Sequence, residues 1–228
     1  MKETMVHVFY ARIDDFLDEN RIQKKIVLLC KQRRDKILRC KNAKDKARSM
    51  TAGLLLRQAL ITEGLDYETL CFVTTKHGKI VIENRKDIYI NLTHAGDYAA
   101  CVVATQPVGI DIEDRERFQQ HSGEERLYKI AKRSCSPEEM EYLKQRDSSE
   151  FGDRFIKLWT RKESFSKAKG LGMQIGFSSI NTLEKGFYFE KIINQRYQLC
   201  VATIDVEEDK NITITDYTKQ LEKIEPGG

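Results

Sequence analysis

The clearest pattern of apolar and polar positions lies in residues 108–115, which read Val-Gly-Ile-Asp-Ile-Glu-Asp-Arg. A period of two predicts a β-strand, because successive side chains of a strand point to opposite faces. Ile110 and Ile112 would then face a core, while Asp111 and Glu113 share the other face. Two such carboxylates provide half of a magnesium site, which needs one or two more oxygen ligands. The alternative is an amphipathic strand end whose acids are solvated.

Helical periodicity is strongest in residues 45–60 and 151–170. The second segment places Glu163 and Lys167 four residues apart, so both lie on one face of the helix. Taken alone, such a pair is a surface ion pair worth a few tenths of a kcal/mol. Arg48 would lie in the N-terminal turn of the first helix, where backbone N–H groups favour an anion. A solvated charge at a helix end is the alternative.

Weaker patterns predict the remaining elements. Apolar spacing predicts helices over residues 14–32, 124–133 and 136–145, the last with a capping box formed by Ser136 and Glu139. Strands are predicted at 5–12, 71–73, 80–82, 88–92, 98–105, 177–183, 187–193, 197–204 and 211–216, with the last four in a second sheet. The final dozen polar residues are expected to fray. His94 is expected at a strand-to-loop junction between two central strands, where side chains meet ligands, although a lone histidine there is more often structural.

The second half of the chain repeats the first. Residues 98–105, Tyr-Ala-Ala-Cys-Val-Val-Ala-Thr, are matched by residues 197–203, Tyr-Gln-Leu-Cys-Val-Ala-Thr, and a strong helix precedes each. This predicts an α+β fold of two similar α/β subdomains, residues 1–106 and 107–228, related by a pseudo-twofold. The cleft between such halves would be the natural ligand site. Chance similarity over eight residues is the alternative.

Composition and charge restrict the class of protein. The 228 residues carry a net charge of +4, but Lys24 to Arg48 holds eleven Lys or Arg residues against Asp35 and Asp45. That segment would attract phosphate groups, nucleic acid or an acidic protein. Six cysteines without a CxxC pair indicate buried thiols in a reducing compartment. No signal peptide and no apolar run long enough to cross a bilayer are found, so a cytoplasmic protein without membrane partners is expected.

Two motifs together carry a family resemblance. Residues 109–113, Gly-Ile-Asp-Ile-Glu, and 159–167, Trp-Thr-Arg-Lys-Glu-Ser-Phe-Ser-Lys, resemble the signatures GIDxE and (F/W)xxKE(S/A)xxK of the 4′-phosphopantetheinyl transferase superfamily. Chain length, the apparent duplication and residues 91–94, Asn-Leu-Thr-His, are similar to its pseudodimeric Sfp-type branch. The resemblance implies transfer of 4′-phosphopantetheine from coenzyme A to a serine of an apo acyl, peptidyl or aryl carrier protein. Adenosine 3′,5′-bisphosphate would be released.

The same resemblance implies roles for individual residues. Asp111, Glu113 and Glu163 would hold Mg²⁺ beside the pyrophosphate, and Lys167 would lie at the phosphates. The residues implied at the 3′-phosphoadenosine end of the coenzyme are Arg33, Lys36, Arg48, Lys79, Thr93 and His94. Thr93 stands where serine is common and keeps its hydroxyl group. Ile80 stands where the family usually has proline, beside the turn that contains Lys79.

Several alternatives remain open from the sequence. Glu163 or a magnesium-bound water would accept the serine proton. The carrier would be acidic and helical and serve fatty-acid, polyketide or nonribosomal-peptide synthesis, and the enzyme would be a monomer that binds no nucleic acid. One rival is another magnesium-dependent nucleotide phosphate enzyme, which is disfavoured because no Gly-rich phosphate loop is present. The other is a nucleic-acid-binding module, which is disfavoured because the basic run lacks interleaved aromatic residues.

Overall fold

The computed structural model describes residues 5–116, 124–145, 150–170, 176–184, 186–204 and 212–225. The chain divides into a first unit, Met1–Gln106 with Asp209–Gly228, and a second unit, Pro107–Glu208. Helices and strands mix in both units, as expected for an α+β protein. No helix in the described ranges combines the length and the apolar character that crossing a membrane requires.

The helices and strands are numbered here in chain order. The strands are β1 (Val6–Arg12), β2 (Phe72–Thr74), β3 (Ile80–Ile82), β4 (Tyr89–Ala95), β5 (Tyr98–Ala104), β6 (Val108–Asp114), β7 (Phe187–Ile193), β8 (Tyr197–Thr203) and β9 (Ile212–Asp216). The α-helices are α1 (Glu19–Lys25), α2 (Lys31–Arg39), α3 (Ala43–Thr62), α4 (Glu124–Ser134), α5 (Pro137–Lys144), α6 (Phe151–Lys169) and α7 (Thr218–Glu222).

The first unit is built on a four-stranded sheet in the order β4-β5-β1-β9. Helix α3 packs against β1, β4 and β5, and Asn42 caps its first turn by accepting from the N–H groups of Lys44 and Asp45. Leu54, Leu55 and Leu56 are consecutive and all fully buried. Three adjacent side chains point in different directions around a helix, so α3 is enclosed on most sides and forms the centre of this core.

The second unit repeats the topology of the first. In each unit a strand is followed by a long helix and a β-hairpin, and the last strand of the hairpin pairs antiparallel with both others. The strand order β4-β5-β1, which β9 extends, therefore corresponds to the order β7-β8-β6 of the second unit. The central strands β5 and β8 are buried along their whole length. The sequence match thus falls on two strands that each lie between two antiparallel neighbours in their own sheet.

Two of the predicted elements are wrong. The single helix over 14–32 is divided into α1 and α2, because Asp18 is extended and uses its carboxylate to cap Asn20 at the start of a new helix. Leu29 is also extended, which separates α2 from the preceding turn. The strand predicted at 177–183 is a short 3₁₀ turn over Phe177–Ser179.

The end of the chain also differs from the prediction. Strand β9 pairs in parallel with β1, so it belongs to the sheet of the first unit and not to the second sheet. The polar tail after it contains α7, whose Leu221 is 1 % exposed. The ammonium of Lys25 donates to the carbonyl oxygens of Leu221 and Glu222 at 3.2 and 3.0 Å. These contacts hold residues 218–222 in place, where fraying was expected.

Candidate functional site

An acidic cluster forms where β6 lies directly against α6. Gly109 permits this approach, because a Cβ atom at that position would lie 2.0 Å from the carbonyl oxygen of Ser164 and 2.4 Å from the backbone nitrogen of Ala168. No other residue fits between the two backbones. Asp111 follows two residues later on the same strand face and therefore also points at the helix.

Lys167 of α6 is the direct partner of Asp111. Its ammonium donates to Asp111 Oδ1 at 2.6 Å and to the carbonyl oxygen of Ile110 at 3.2 Å. Asp111 is 4 % exposed, so its carboxylate is not one of the solvated strand-end acids that the sequence left as an alternative. The indole N–H of Trp159 forms a hydrogen bond with the third side chain of the cluster, Glu113.

The carboxylates of the cluster perturb one another. Burial, the charge of Asp111 and the charge of Glu163 raise the pKa of Glu113 to about 7, against the opposing effects of Lys167 and Trp159. Burial and the charge of Asp111 likewise raise the pKa of Glu163, while Lys167 opposes the shift. Such coupling requires short separations in a partly dehydrated site. The structure therefore brings Asp111, Glu113, Glu163 and Lys167 into one cluster.

The donor set of this cluster suits a hard divalent cation. Three carboxylates face the single ammonium of Lys167, so negative charge is in excess, and Mg²⁺ prefers such oxygen ligands. Within the described residues, no three acidic, histidine or cysteine side chains yet converge closely enough to enclose an ion. Lys167 occupies one oxygen of Asp111 in this arrangement. The chemistry of the donors fits magnesium, and side-chain adjustment would be needed to bring the oxygens around it.

A second site, in the first unit, is a basic cavity of about 230 Å³. It is lined by Gln32, Arg33, Lys36, Arg39, Thr74, Gly78, Lys79, Ile80, Asn91 and Leu92. Four of these side chains are cationic and none is a carboxylate. A cavity with this lining is suited to an anionic ligand, such as a phosphate group.

Three of the four cations that line the cavity are partly dehydrated. Arg33 is 6 % exposed, and burial lowers its pKa while its guanidinium donates to the carbonyl and hydroxyl oxygens of Ser49 at 2.6 and 3.2 Å. Burial and the nearby charge of Arg33 lower the pKa of Lys36. Burial lowers the pKa of Lys79 to about 8. A bound anion would relieve the unfavourable charge that these shifts report.

Three residues expected at the coenzyme do not line this cavity. Arg48 lies in the second turn of α3 and not in its N-terminal turn; it donates to the Gly96 carbonyl oxygen at 2.9 Å and pairs with Asp45 at 2.7 Å. Thr93 is buried and His94 is exposed, and both lie on β4. Strand β4 is at the edge of its sheet and not between central strands, so that expectation for His94 was wrong. Two preceding residues of β4 do line the cavity, which places Thr93 and His94 next to it along the strand.

The chain is similar to known proteins of one family. Residues 107–216 match the model of the 4′-phosphopantetheinyl transferase superfamily. The chain is 29 % identical to 4′-phosphopantetheinyl transferase Sfp of Bacillus subtilis over 175 residues, which cover 76 % of this chain and 75 % of that one. It is 27 % identical to 4′-phosphopantetheinyl transferase gsp of Aneurinibacillus migulanus over 218 residues, 95 % of this chain and 82 % of that one.

The chain belongs to the 4′-phosphopantetheinyl transferase superfamily. The recognition made from the two motifs is thereby confirmed. A human relative, L-aminoadipate-semialdehyde dehydrogenase-phosphopantetheinyl transferase, is 31 % identical over 176 residues, which cover 72 % of this chain and 55 % of that one. The matched range of the superfamily model contains all four residues of the acidic cluster.

Two residues of this phosphopantetheinyl transferase were missed from the sequence. Arg39 lines the cavity, and its spacing of three residues from Lys36 on α2 was a signal that it shares that side of the helix. From the sequence, Trp159 was only the first residue of the helix motif and had no role of its own, although its indole N–H bonds Glu113. Its position four residues before Glu163 could have indicated a role at the acidic cluster.

Proposed function

We propose that this protein transfers the 4′-phosphopantetheine group of coenzyme A to a serine hydroxyl of an apo carrier protein and releases adenosine 3′,5′-bisphosphate. The observation that carries the proposal is the acidic cluster, in which Lys167 bonds Asp111 and in which burial and the charge of Asp111 raise the pKa of Glu113 and of Glu163. The family match and the activity for which its relatives are named support the same reaction class.

The acidic cluster is the proposed magnesium site, with Asp111, Glu113 and Glu163 as ligands. Bound Mg²⁺ would supply charge neutralisation at the pyrophosphate of coenzyme A. Two features support this fit, the excess of negative charge around Lys167 and the raised pKa of Glu113. A nearby cation would neutralise the excess charge and lower that pKa.

Lys167 and Glu163 are the proposed catalytic residues. Lys167 projects from a long helix that is held against β6, so its ammonium is positioned to stabilise the charge that develops on phosphate oxygens. Glu163 would accept the proton of the attacking serine. Its raised pKa makes it a stronger base than a solvated carboxylate, which favours that role.

The basic cavity is the proposed site for the 3′-phosphoadenosine end of coenzyme A. Arg33, Lys36 and Lys79 would bind the 3′-phosphate and the adenine side, and Arg39 adds a fourth cation to the lining. The residues proposed to complete coenzyme binding are Arg48, Thr93 and His94. A phosphate in a cavity lined by four cations would be held by charge-assisted hydrogen bonds.

The proposed partner is an acidic helical carrier protein, and the proposed form of the enzyme is a monomer whose two units are related by a pseudo-twofold. The shared strand, helix and hairpin order of the units supports duplication. Several cations of the basic run form contacts within the protein, among them Lys44 with Asp97 and Lys46 with Glu19. Because these cations already have partners within the protein, we infer that the basic segment serves the cavity and does not form a nucleic-acid-binding surface.

The reaction can be tested by mass spectrometry of intact apo carrier proteins. Acyl, peptidyl and aryl carriers would each be incubated with the protein, coenzyme A and Mg²⁺. At least one carrier should gain the mass of one phosphopantetheine group, with adenosine 3′,5′-bisphosphate formed in equal amount. A carrier variant lacking the acceptor serine is the matched control and should gain nothing. Hydrolysis of coenzyme A without modification of any carrier would contradict the proposal and favour another nucleotide phosphate enzyme.

A further inference from the structure

A buried ion pair joins α6 to α5 within the second unit. The side chains of Lys162 and Glu139 are 1 % and 0 % exposed, and their Nζ and Oε2 atoms are 2.5 Å apart. Glu139 was expected from the sequence to cap α5, and Lys162 was part of the helix motif without a chemical role. Neither residue belongs to the acidic cluster, yet Lys162 directly precedes Glu163 in the chain.

The ammonium of Lys162 has a partner for each of its three protons. In addition to Glu139, it donates to the carbonyl oxygen of Phe177 at 2.8 Å and to that of Ile180. An ammonium group has three donors and no acceptor, so these contacts satisfy it completely. The turn that follows α6 in the described chain is thereby attached to the middle of the helix.

The carboxylate of Glu139 is equally well satisfied. It accepts from the backbone N–H of Ser136 at 2.8 Å, completing the capping box of α5. It also accepts from the backbone N–H and the hydroxyl group of Thr182 at 2.9 and 2.7 Å. One network therefore fixes three segments against each other: the start of α5, the middle of α6 and residues 177–182.

A buried network of this kind orients its side chains more than it stabilises the folded protein. Replacing a buried ion pair with apolar residues is often neutral or stabilising, because the charges lose their hydration when buried. Its bonds, however, are directional and short, so Lys162 can point only one way. The position of Lys162 around the axis of α6 is therefore set by residues outside that helix.

The orientation of Lys162 around the axis of α6 determines which way the neighbouring set of side chains, including Glu163, points. Successive residues of an α-helix are about 100° apart, so fixing Lys162 fixes Glu163. Trp159 and Lys167 lie four residues before and after Glu163 and share its face. That face contacts β6, where Trp159 bonds Glu113 and Lys167 bonds Asp111.

We propose that Lys162 and Glu139 are positioning residues, which set the rotation of α6 about its axis and hold Glu163 and Lys167 toward β6. The inference rests on the proposed magnesium site and adds two residues that act on it through Glu163. Removing the network should lower the affinity for Mg²⁺, because Glu163 would lose its fixed direction. Loss of groups that orient metal ligands typically weakens metal binding 10- to 100-fold.

The test uses the double variant Lys162→Met/Glu139→Gln in the full chain. It removes both charges together, so no buried charge is left without a partner, and the amide oxygen of the new glutamine can still accept a hydrogen bond. Thr160→Val is the matched control on the same helix. Thr160 is fully buried, but its hydroxyl donates only to the α6 carbonyl oxygens of Ile156 and Lys157.

Trp159 provides a readout of metal binding that is independent of activity. It is the single tryptophan of the chain, and it bonds Glu113, a proposed magnesium ligand. Its fluorescence would be followed during Mg²⁺ titration, with coenzyme A present, and circular dichroism would confirm folding. The double variant should show an apparent Mg²⁺ dissociation constant raised by about 10-fold or more. Thr160→Val should stay within about twofold of the parent.

Kinetics separate positioning from a general loss of stability. In the double variant the KM for Mg²⁺ should rise by about the same factor as the dissociation constant, and saturating Mg²⁺ should restore part of kcat. A folded double variant with the parent's Mg²⁺ affinity would overturn the inference and leave the proposed function intact. A parent protein whose fluorescence and transfer activity do not respond to Mg²⁺ would overturn both the inference and the proposed magnesium site.

A milder variant decides the case if the double variant does not fold. Thr182→Val removes the hydroxyl bond to Glu139 at 2.7 Å and leaves both charges and the backbone bond in place. The Mg²⁺ dissociation constant should then rise several-fold in a folded protein. An unchanged constant would overturn the positioning role of Glu139.

Discussion

Lys167 donates a 2.6 Å hydrogen bond to Asp111, a residue 56 positions earlier in the chain. The bond joins the strand motif to the helix motif, which are separate in the sequence and form one site in the fold. It depends on β6 and α6 approaching so closely that Gly109 has no room for a side chain. The glycine of the strand motif is thus a requirement of packing, whereas the acids beside it are the proposed magnesium ligands.

Gly109→Ala should be strongly destabilising. The added Cβ would lie 2.0 Å from the carbonyl oxygen of Ser164, which is backbone and cannot move aside without shifting α6. We expect the free energy of unfolding to fall by about 2 kcal/mol or more, as for an overpacked core, with a marked loss of Mg²⁺ affinity. Urea denaturation and the fluorescence of Trp159 would measure the two effects.

Gly176→Ala is the control for that substitution. A Cβ atom at Gly176 would meet nothing within 4 Å, and the residue has a φ of −58° that any residue can adopt. It should change the free energy of unfolding by less than about 0.5 kcal/mol. Equal effects of the two substitutions on the free energy of unfolding would contradict the claim that the close approach of β6 to α6 requires a glycine at position 109.

Removing a cation from the basic cavity should weaken the binding of coenzyme A. Lys36→Ala and Arg39→Ala each remove one of four lining cations, and we expect roughly 10-fold weaker binding, equivalent to about 1.4 kcal/mol. The same substitutions should weaken the binding of dephospho-coenzyme A, which lacks the 3′-phosphate, much less. Isothermal titration calorimetry with both ligands would measure the difference.

Arg34→Ala is the matched control for the cavity variants. Arg34 lies on the same helix and carries the same charge, but it is not part of the cavity lining. Its removal should change coenzyme A affinity by less than about twofold at 0.15 M salt, where distant charges are screened. Equal losses for coenzyme A and its dephospho form in the Lys36 and Arg39 variants would reject the assignment of the 3′-phosphate to this cavity.

The affinity for coenzyme A should fall as the pH rises above 8. Burial lowers the pKa of Lys79 to about 8, so the side chain loses its charge in the free protein above that pH. An anionic ligand favours the charged form, and binding then requires uptake of a proton. Titrations from pH 7 to 10 should show this decline in the parent, and a much flatter profile in Lys79→Arg. Parallel profiles would contradict a contact between Lys79 and the coenzyme.

The same pKa shift predicts a pH dependence of stability. Since the folded pKa of Lys79 is about 8 and its ordinary value is 10.5, the unfolded state binds more protons between these limits. The contribution of Lys79 to the free energy of unfolding therefore rises with pH in that window and is at its minimum below pH 8. In Lys79→Met this rise should disappear, as urea denaturation at pH 7.5 and 9.5 would reveal. A steeper rise in the variant would contradict the shift.

Strong periodic patterns predicted the elements that form the acidic cluster. The alternation around Asp111 and the long apolar stripe of α6 each specify one kind of structure, and both elements are confirmed. Asp18 shows the limit of such predictions. The apolar period of the predicted helix over 14–32 continues across this residue, although Asp18 caps the start of a new helix. The partner of β9 was also beyond prediction, since periodicity identifies a strand but does not show which neighbour supplies its hydrogen bonds.

Side-chain partners were predicted less well than elements. Lys167 was expected to face Glu163 along one helix, and the structure shows its bond to Asp111 on another element. The ion pair of Lys162 and Glu139 joins residues 23 positions apart through a contact that no local spacing reveals. Tertiary packing determines such pairs, and the sequence records only that each residue is able to form them.

The most direct test of the central claim is the rate of carrier modification by Glu163→Gln as a function of Mg²⁺. The substitution keeps the size of the side chain and removes the charge that couples to Asp111. The account predicts a folded variant whose transfer rate falls by on the order of a hundredfold or more and whose response to Mg²⁺ is greatly weakened. Transfer at the full rate with the parent's Mg²⁺ dependence would contradict it.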